Sequence, residues 1–100
     1  MVSINAARLH LKQRFTLAPN AFAELRVFEV EPPVRGSTHG YKYGLALVVD
    51  GICVIRYDNE AGKGDHRHFG EREGPHRFVT VERLMEAFWK DVDRWLNEIR

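Results

Sequence analysis

Apolar residues recur along this chain with two periods. Up to about residue 79 they alternate with polar residues or form short blocks between Gly, Pro and Asn. From Val81 onward they return every three or four positions. The first pattern predicts strands and the second an amphipathic helix. In residues 7–16, Leu9, Leu11 and Phe15 fall on one side of an extended segment, which predicts a first strand. Pro19 and Asn20 make Leu17–Asn20 a turn. Phe22–Val30, with Leu25, Val27, Phe28 and Val30, predicts a second strand. Glu31–Gly40 is a loop, because two prolines and two glycines suit neither a helix nor a central strand.

The strongest local signal is Asp50-Gly51 between Tyr41–Val49 and Ile52–Tyr57. Asp-Gly between apolar runs predicts a type I′ hairpin, whose two central residues need positive φ. A two-residue loop sets Val49 against Ile52, Leu47 against Val54 and Leu45 against Arg56. Tyr41, Tyr43, Leu45, Leu47 and Val49 then share one face, and Ala46, Val48, Cys53, Ile55 and Tyr57 the other. Two largely apolar faces predict a central place in the sheet.

Asp58–Pro75 is rich in Gly and charge, and His76–Val79 reads as a short last strand. Thr80 then offers an N-cap, with Glu82 in the first turn. Val81, Leu84, Met85, Phe88, Val92, Trp95, Leu96 and Ile99 form a broad apolar stripe. Phe88 and Trp89 read as packing residues, and Glu86 and Lys90 as an i,i+4 pair. The expectation is one α+β domain over residues 1–100: a four- or five-stranded antiparallel sheet (about 7–79) with one long C-terminal helix (about 81–99) on one face. One helix leaves the other face for a partner, a second copy or a substrate.

Composition adds limits. One hundred residues predict a single domain with a thin core. No apolar run is long enough to span a membrane, and Met1–Arg14 lacks an apolar leader segment. The lone Cys53 lies in an apolar run and fits a reducing, cytoplasmic compartment better than a disulfide. A net charge of +1 does not mark a nucleic-acid binder by itself, although a balanced total can hide a local basic patch.

Candidate chemistry concentrates in Gly62-Lys63-Gly64-Asp65-His66-Arg67-His68. If Asp65–His68 is extended, His66 and His68 share one face and Asp65 and Arg67 the other. Two imidazoles on one face can act as acid and base near neutral pH. Lys63, Arg67 and Arg56 are candidates to hold a phosphate. That set meets the needs of metal-independent RNA cleavage by 2′-OH attack, with Asp65 orienting an imidazole and no cofactor required. Three other readings compete. His-x-His with Asp65 or Asp58 is a weak metal motif. Gly-Lys-Gly lacks the P-loop pattern, so its glycines read better as positive-φ or close-approach positions. A histidine-bearing polar loop can also be only a solvated connection. Tyr41, Lys42, Tyr43, Arg56 and Tyr57 interleave aromatic and basic residues as a base-stacking surface does, although tyrosines are also common rim residues of sheets. Tyr43, Tyr57 and Asp58 join the substrate-binding candidates. His10 and His39 stand alone in sequence and receive no role.

Ser37-Thr38-His39-Gly40-Tyr41-Lys42-Tyr43, Arg56-Tyr57-Asp58-Asn59-Glu60, Gly62–His68 and Pro75-His76-Arg77-Phe78 together resemble the TumE family of toxin–antitoxin proteins, over roughly residues 30–97. His76 stands where that family carries a tyrosine. The resemblance implies a small prokaryotic toxin neutralised by an antitoxin protein, often of helix-turn-helix type. RNA cleavage then enters only by analogy with other small sheet-plus-helix toxins. Two alternatives remain: a non-catalytic protein- or nucleic-acid-binding module, and a metal-dependent nuclease. A homodimer through the uncovered sheet face is a further expectation.

Overall fold

A computed structural model describes residues 6–99; the reading of Met1–Arg14 falls partly outside that range, as does the Ile99 side chain. Strands β1 (Ala6–Ala18), β2 (Ala21–Glu31), β3 (Tyr41–Val49), β4 (Ile52–Glu60), β5 (Gly64–Phe69) and β6 (Arg72–Pro75) precede helix α1 (Val81–Arg94) and a π-helical turn, Trp95–Ile99. The strands form one antiparallel meander in the order β1-β2-β3-β4-β5-β6.

The α+β expectation holds, but the sheet has six strands rather than four or five. The missed pair lies in the Gly- and charge-rich segment. Gly70-Glu71 closes a tight β5–β6 turn, with Gly70 at φ 62°. β6 ends at Pro75, whose missing N–H suits an edge. Residues 76–80, expected to hold a strand, form an irregular link to the helix instead.

The β3–β4 turn is as expected: Asp50 and Gly51 have φ 52° and 77°. The register beyond it differs. A bulge near Val54 sets Leu47 opposite Ile55 and Leu45 opposite Tyr57. One extra residue exchanges the faces of everything that follows. Ile55 and Tyr57 therefore share the core with Leu45 and Leu47, and Arg56 turns outward. A second bulge, at His10, separates Leu9 from Leu11. Leu11 packs on the core, whereas Leu9 stands opposite Phe28 and is 55% exposed.

The core is the β2–β5 face beneath α1. Leu25, Val27, Leu45, Leu47 and Ile55 meet Leu84, Phe88 and Val92, all nearly without solvent contact. Thr80 caps the helix by accepting from the Arg83 N–H at 3.1 Å. Trp89 packs edge-on against Phe88 and Phe15, and Trp95 against Phe69, so both tryptophans are packing residues. Glu86 approaches Arg83 at 3.6 Å rather than pairing with Lys90. The regular α-helix ends at Arg94, short of the expected residue 99, and the final turn is wider.

Candidate functional site

Strand alternation divides the chemistry-bearing residues between two faces. On the helix side, Asp65 accepts from Tyr43 Oη at 2.6 Å and Ser37 Oγ at 2.8 Å, and pairs with His39 Nε2 at 2.7 Å. His39 Nδ1 accepts the Tyr41 N–H, so Nε2 carries a proton toward Asp65. The His39 ring stacks on Phe78 with centroids 3.8 Å apart. Burial raises the Asp65 carboxyl, but the bonds from Tyr43, His39 and Ser37 outweigh it and hold the group below its ordinary value. Burial, then the bond to Asp65, pushes Tyr43 far above the ordinary tyrosine range. Asn59 is fully buried, and its side chain bridges β3 and β4 by bonding Tyr43 N–H, the Tyr41 carbonyl and Ser37 Oγ.

Next to this cluster, Arg67 grips Asp91 of α1 with two bonds, 2.7 and 2.8 Å. Tyr57 donates to the same carboxylate at 2.7 Å. The Asp91 bond raises the Arg67 guanidinium, and burial followed by the Asp91 bond raises Tyr57. Tyr43, Tyr57, Asp65 and Arg67 thus tie the sheet to its loop and its helix, and Arg67 commits Nε and Nη2 to Tyr57 and Asp91.

The helix-free face holds the other group. Cross-strand register sets Asp58 beside His66, and Arg56 beside His68, with Glu73 on the far side of His68. Two residues of strand set the Cα atoms of His66 and His68 about 6.6 Å apart. His66 Nε2 donates to the Lys63 carbonyl at 2.9 Å, which leaves Nδ1 with its lone pair, buried and without a hydrogen-bond partner. One carboxylate oxygen, Oε1 of Glu73, lies 3.6 Å from His66 Nδ1 and 3.7 Å from His68 Nε2. Glu73 was absent from the sequence-based set. The two-residue Gly70-Glu71 turn is the signal that would have placed it opposite His68. His39 was also missed, because its partner Asp65 is 26 residues away.

The glycines of Gly62–Gly64 serve a close approach, but to the chain's own loop. The Gly62 N–H donates to the Arg35 carbonyl at 2.6 Å, and a Cβ on Gly64 would lie 2.9 Å from the Gly36 oxygen at φ 78°. Lys63 stands exposed on this turn, 3.6 Å from Glu60. Beside the histidines, Gly44 and Ala46 leave a trough of about 290 Å³ in the sheet surface, edged by Phe28, Lys42, Arg56 and Asp58. Among the described residues no group of three or more His, Cys, Asp or Glu is placed to hold a metal ion.

The profile of the family described as Toxin TumE matches residues 2–96. The chain belongs to the TumE toxin family. No curated protein and no solved structure matches it. For this TumE-family chain, His76 lies in the sheet–helix junction, where its ring meets Tyr57 edge-on at 4.9 Å. No described helix is long and apolar enough to cross a membrane.

Proposed function

We propose that this chain is the toxin of a toxin–antitoxin pair and cleaves RNA without a metal, using His66 and His68 on the helix-free face. The observation that carries the reading is the placement of both imidazoles on one helix-free sheet face, with Arg56 and Glu73 as immediate neighbours. One imidazole takes the proton of a ribose 2′-OH as its oxygen attacks the adjacent phosphorus. The other gives a proton to the departing 5′-oxygen as the P–O bond breaks. The products are a 2′,3′-cyclic phosphate and a 5′-hydroxyl. Nδ1 is the His66 nitrogen left for the base role, because Nε2 is committed to the Lys63 carbonyl; Nδ1 is buried without a hydrogen-bond partner, so this role requires the ring to turn outward when RNA binds. His68 suits the acid role, with Glu73 Oε1 3.7 Å from its Nε2 and Arg56 beside it for the phosphate. Lys42 and Lys63 extend positive charge around the histidines, and the trough beside them accommodates a base or ribose.

Asp65, Arg67, Tyr43 and Tyr57 enter this reading as residues that hold the sheet, loop and helix together. A cellular RNA target and the unpaired Cys53 both fit the cytoplasm. A non-catalytic module that binds through the same face is the second reading; the mixed charge around the trough supports it. The test is incubation of purified protein, prepared without a histidine tag, with cellular RNA in excess chelator. Fragments ending in 2′,3′-cyclic phosphate are expected. RNA bound without cleavage would favour the binding module, and cleavage abolished by chelator would establish a metal-dependent nuclease.

A further inference from the structure

The two edges of the sheet are unlike. β6 is four residues long and ends in Pro75, which guards it against further pairing. β1 is thirteen residues long, almost wholly exposed, and pairs only with β2. Three of the five most exposed large apolar side chains among the described residues, Leu9, Phe15 and Leu17, belong to it. Its outer backbone groups are a template for one more strand. Its own charge is of a single sign: Arg8, Lys12 and Arg14, with no Asp or Glu from Ala6 to Ala18; Glu29 and Glu24 of β2 face Arg8 and Arg14, while Lys12 stands opposite Arg26 and has no acidic partner among the described residues. A second copy is a poor occupant. Antiparallel self-pairing centred on Leu11 opposes Arg8 to Arg14, and centring on Lys12 opposes that lysine to itself. Like charges directly opposite are destabilising.

We infer that β1 docks an extended, acidic segment of the neutralising antitoxin, which joins the sheet as a seventh strand. Main-chain hydrogen bonds supply the grip, acidic side chains on the added strand meet Lys12 and Arg14, and its apolar residues cover Leu9. The inference rests on the toxin–antitoxin part of the proposed function and not on RNA cleavage. Neutralisation then works at a distance from His66 and His68, by obstructing approach of a long RNA or by holding the toxin in a larger complex.

The test uses the full chain, free and in complex with the protein encoded beside it, followed by hydrogen–deuterium exchange. Amides of residues 6–18 are expected to slow at least tenfold in the complex. The Lys12→Glu/Arg14→Gln variant should melt as wild type does, keep its toxicity, and bind the antitoxin about tenfold more weakly at low salt. Unchanged β1 exchange in the complex, with protection centred on α1 or on His66–His68, would overturn the inference. So would β1 protection that appears in the free protein as its concentration rises, because a second copy would then be the occupant. RNA cleavage and β1 exchange are read separately, so failure of one does not mask the other.

Discussion

Asp91→Ala tests whether Arg67 clamps the helix or binds a phosphate. Asp91 accepts three hydrogen bonds: one from Tyr57 at 2.7 Å and two from Arg67 at 2.7 and 2.8 Å. The Asp91 side chain is 12% exposed and that of Arg67 36%. Breaking a buried ion pair by removing one partner costs about 3–5 kcal/mol. Water reaching Arg67 offsets part of that cost, and Tyr57 keeps Arg67 as a neighbour at 2.9 Å. The lower end, about 3 kcal/mol, is therefore expected. An unfolding entropy of about 0.2 kcal/mol/K for a chain of this size converts that into a fall in Tm of roughly 14 °C. Circular dichroism melts at pH 7 measure it. Arg67→Ala should fall by a similar amount, and the double variant by much less than the sum of the two. RNA cleavage measured well below the lowered Tm should stay within a few-fold of wild type for both. A shift of only a few degrees together with loss of cleavage would refute the reasoning and make Arg67 a phosphate ligand.

Burial lowers the His76 imidazole below its ordinary value, with Arg67 adding to that and Asp65 and Asp91 opposing it. The unfolded chain then takes up a proton that the folded chain refuses. Stability contributed here is complete above about pH 6.5 and declines as pH falls below it. His76→Phe should flatten the decline of Tm between pH 7 and 5; an unchanged slope would show that other groups set it. Gly64→Ala should destabilise by about 2 kcal/mol or more, since a Cβ there meets the Gly36 oxygen and the φ is positive. An unchanged urea midpoint would show that the Pro32–Gly40 loop is not held against the Gly62–Gly64 turn.

The parts of the fold legible in the sequence are those where a local rule had no competitor. Asp50-Gly51 leaves little choice but a primed turn, and the stripe from Val81 to Leu96, opened by Thr80, leaves little choice but a helix. The bulges were hidden, because nothing at His10 or Val54 marks an extra residue. Yet each one exchanges the faces of its strand, and so Tyr57 and Ile55 were expected on the wrong side. The β5–β6 hairpin was hidden for another reason: a strand exposed on one face and tied by polar bonds on the other shows no apolar alternation. Within the site, the shared face of His66 and His68 followed from alternation alone. The partners of Asp65 did not, because Ser37, His39 and Tyr43 reach it only through the meander and a loop folded back over Gly64.

In the proposed mechanism both imidazoles act on the helix-free face, while the opposite face only holds the structure. The most direct measurement is the pH–rate profile of RNA cleavage in chelator for wild type, His66→Ala and His68→Ala, with melting curves alongside. Wild type should give a bell-shaped profile. Each variant should melt near wild type, lose about 10²–10⁴ in rate, and lose one limb of the bell. Variants that are folded and cleave RNA at the wild-type rate would contradict the account.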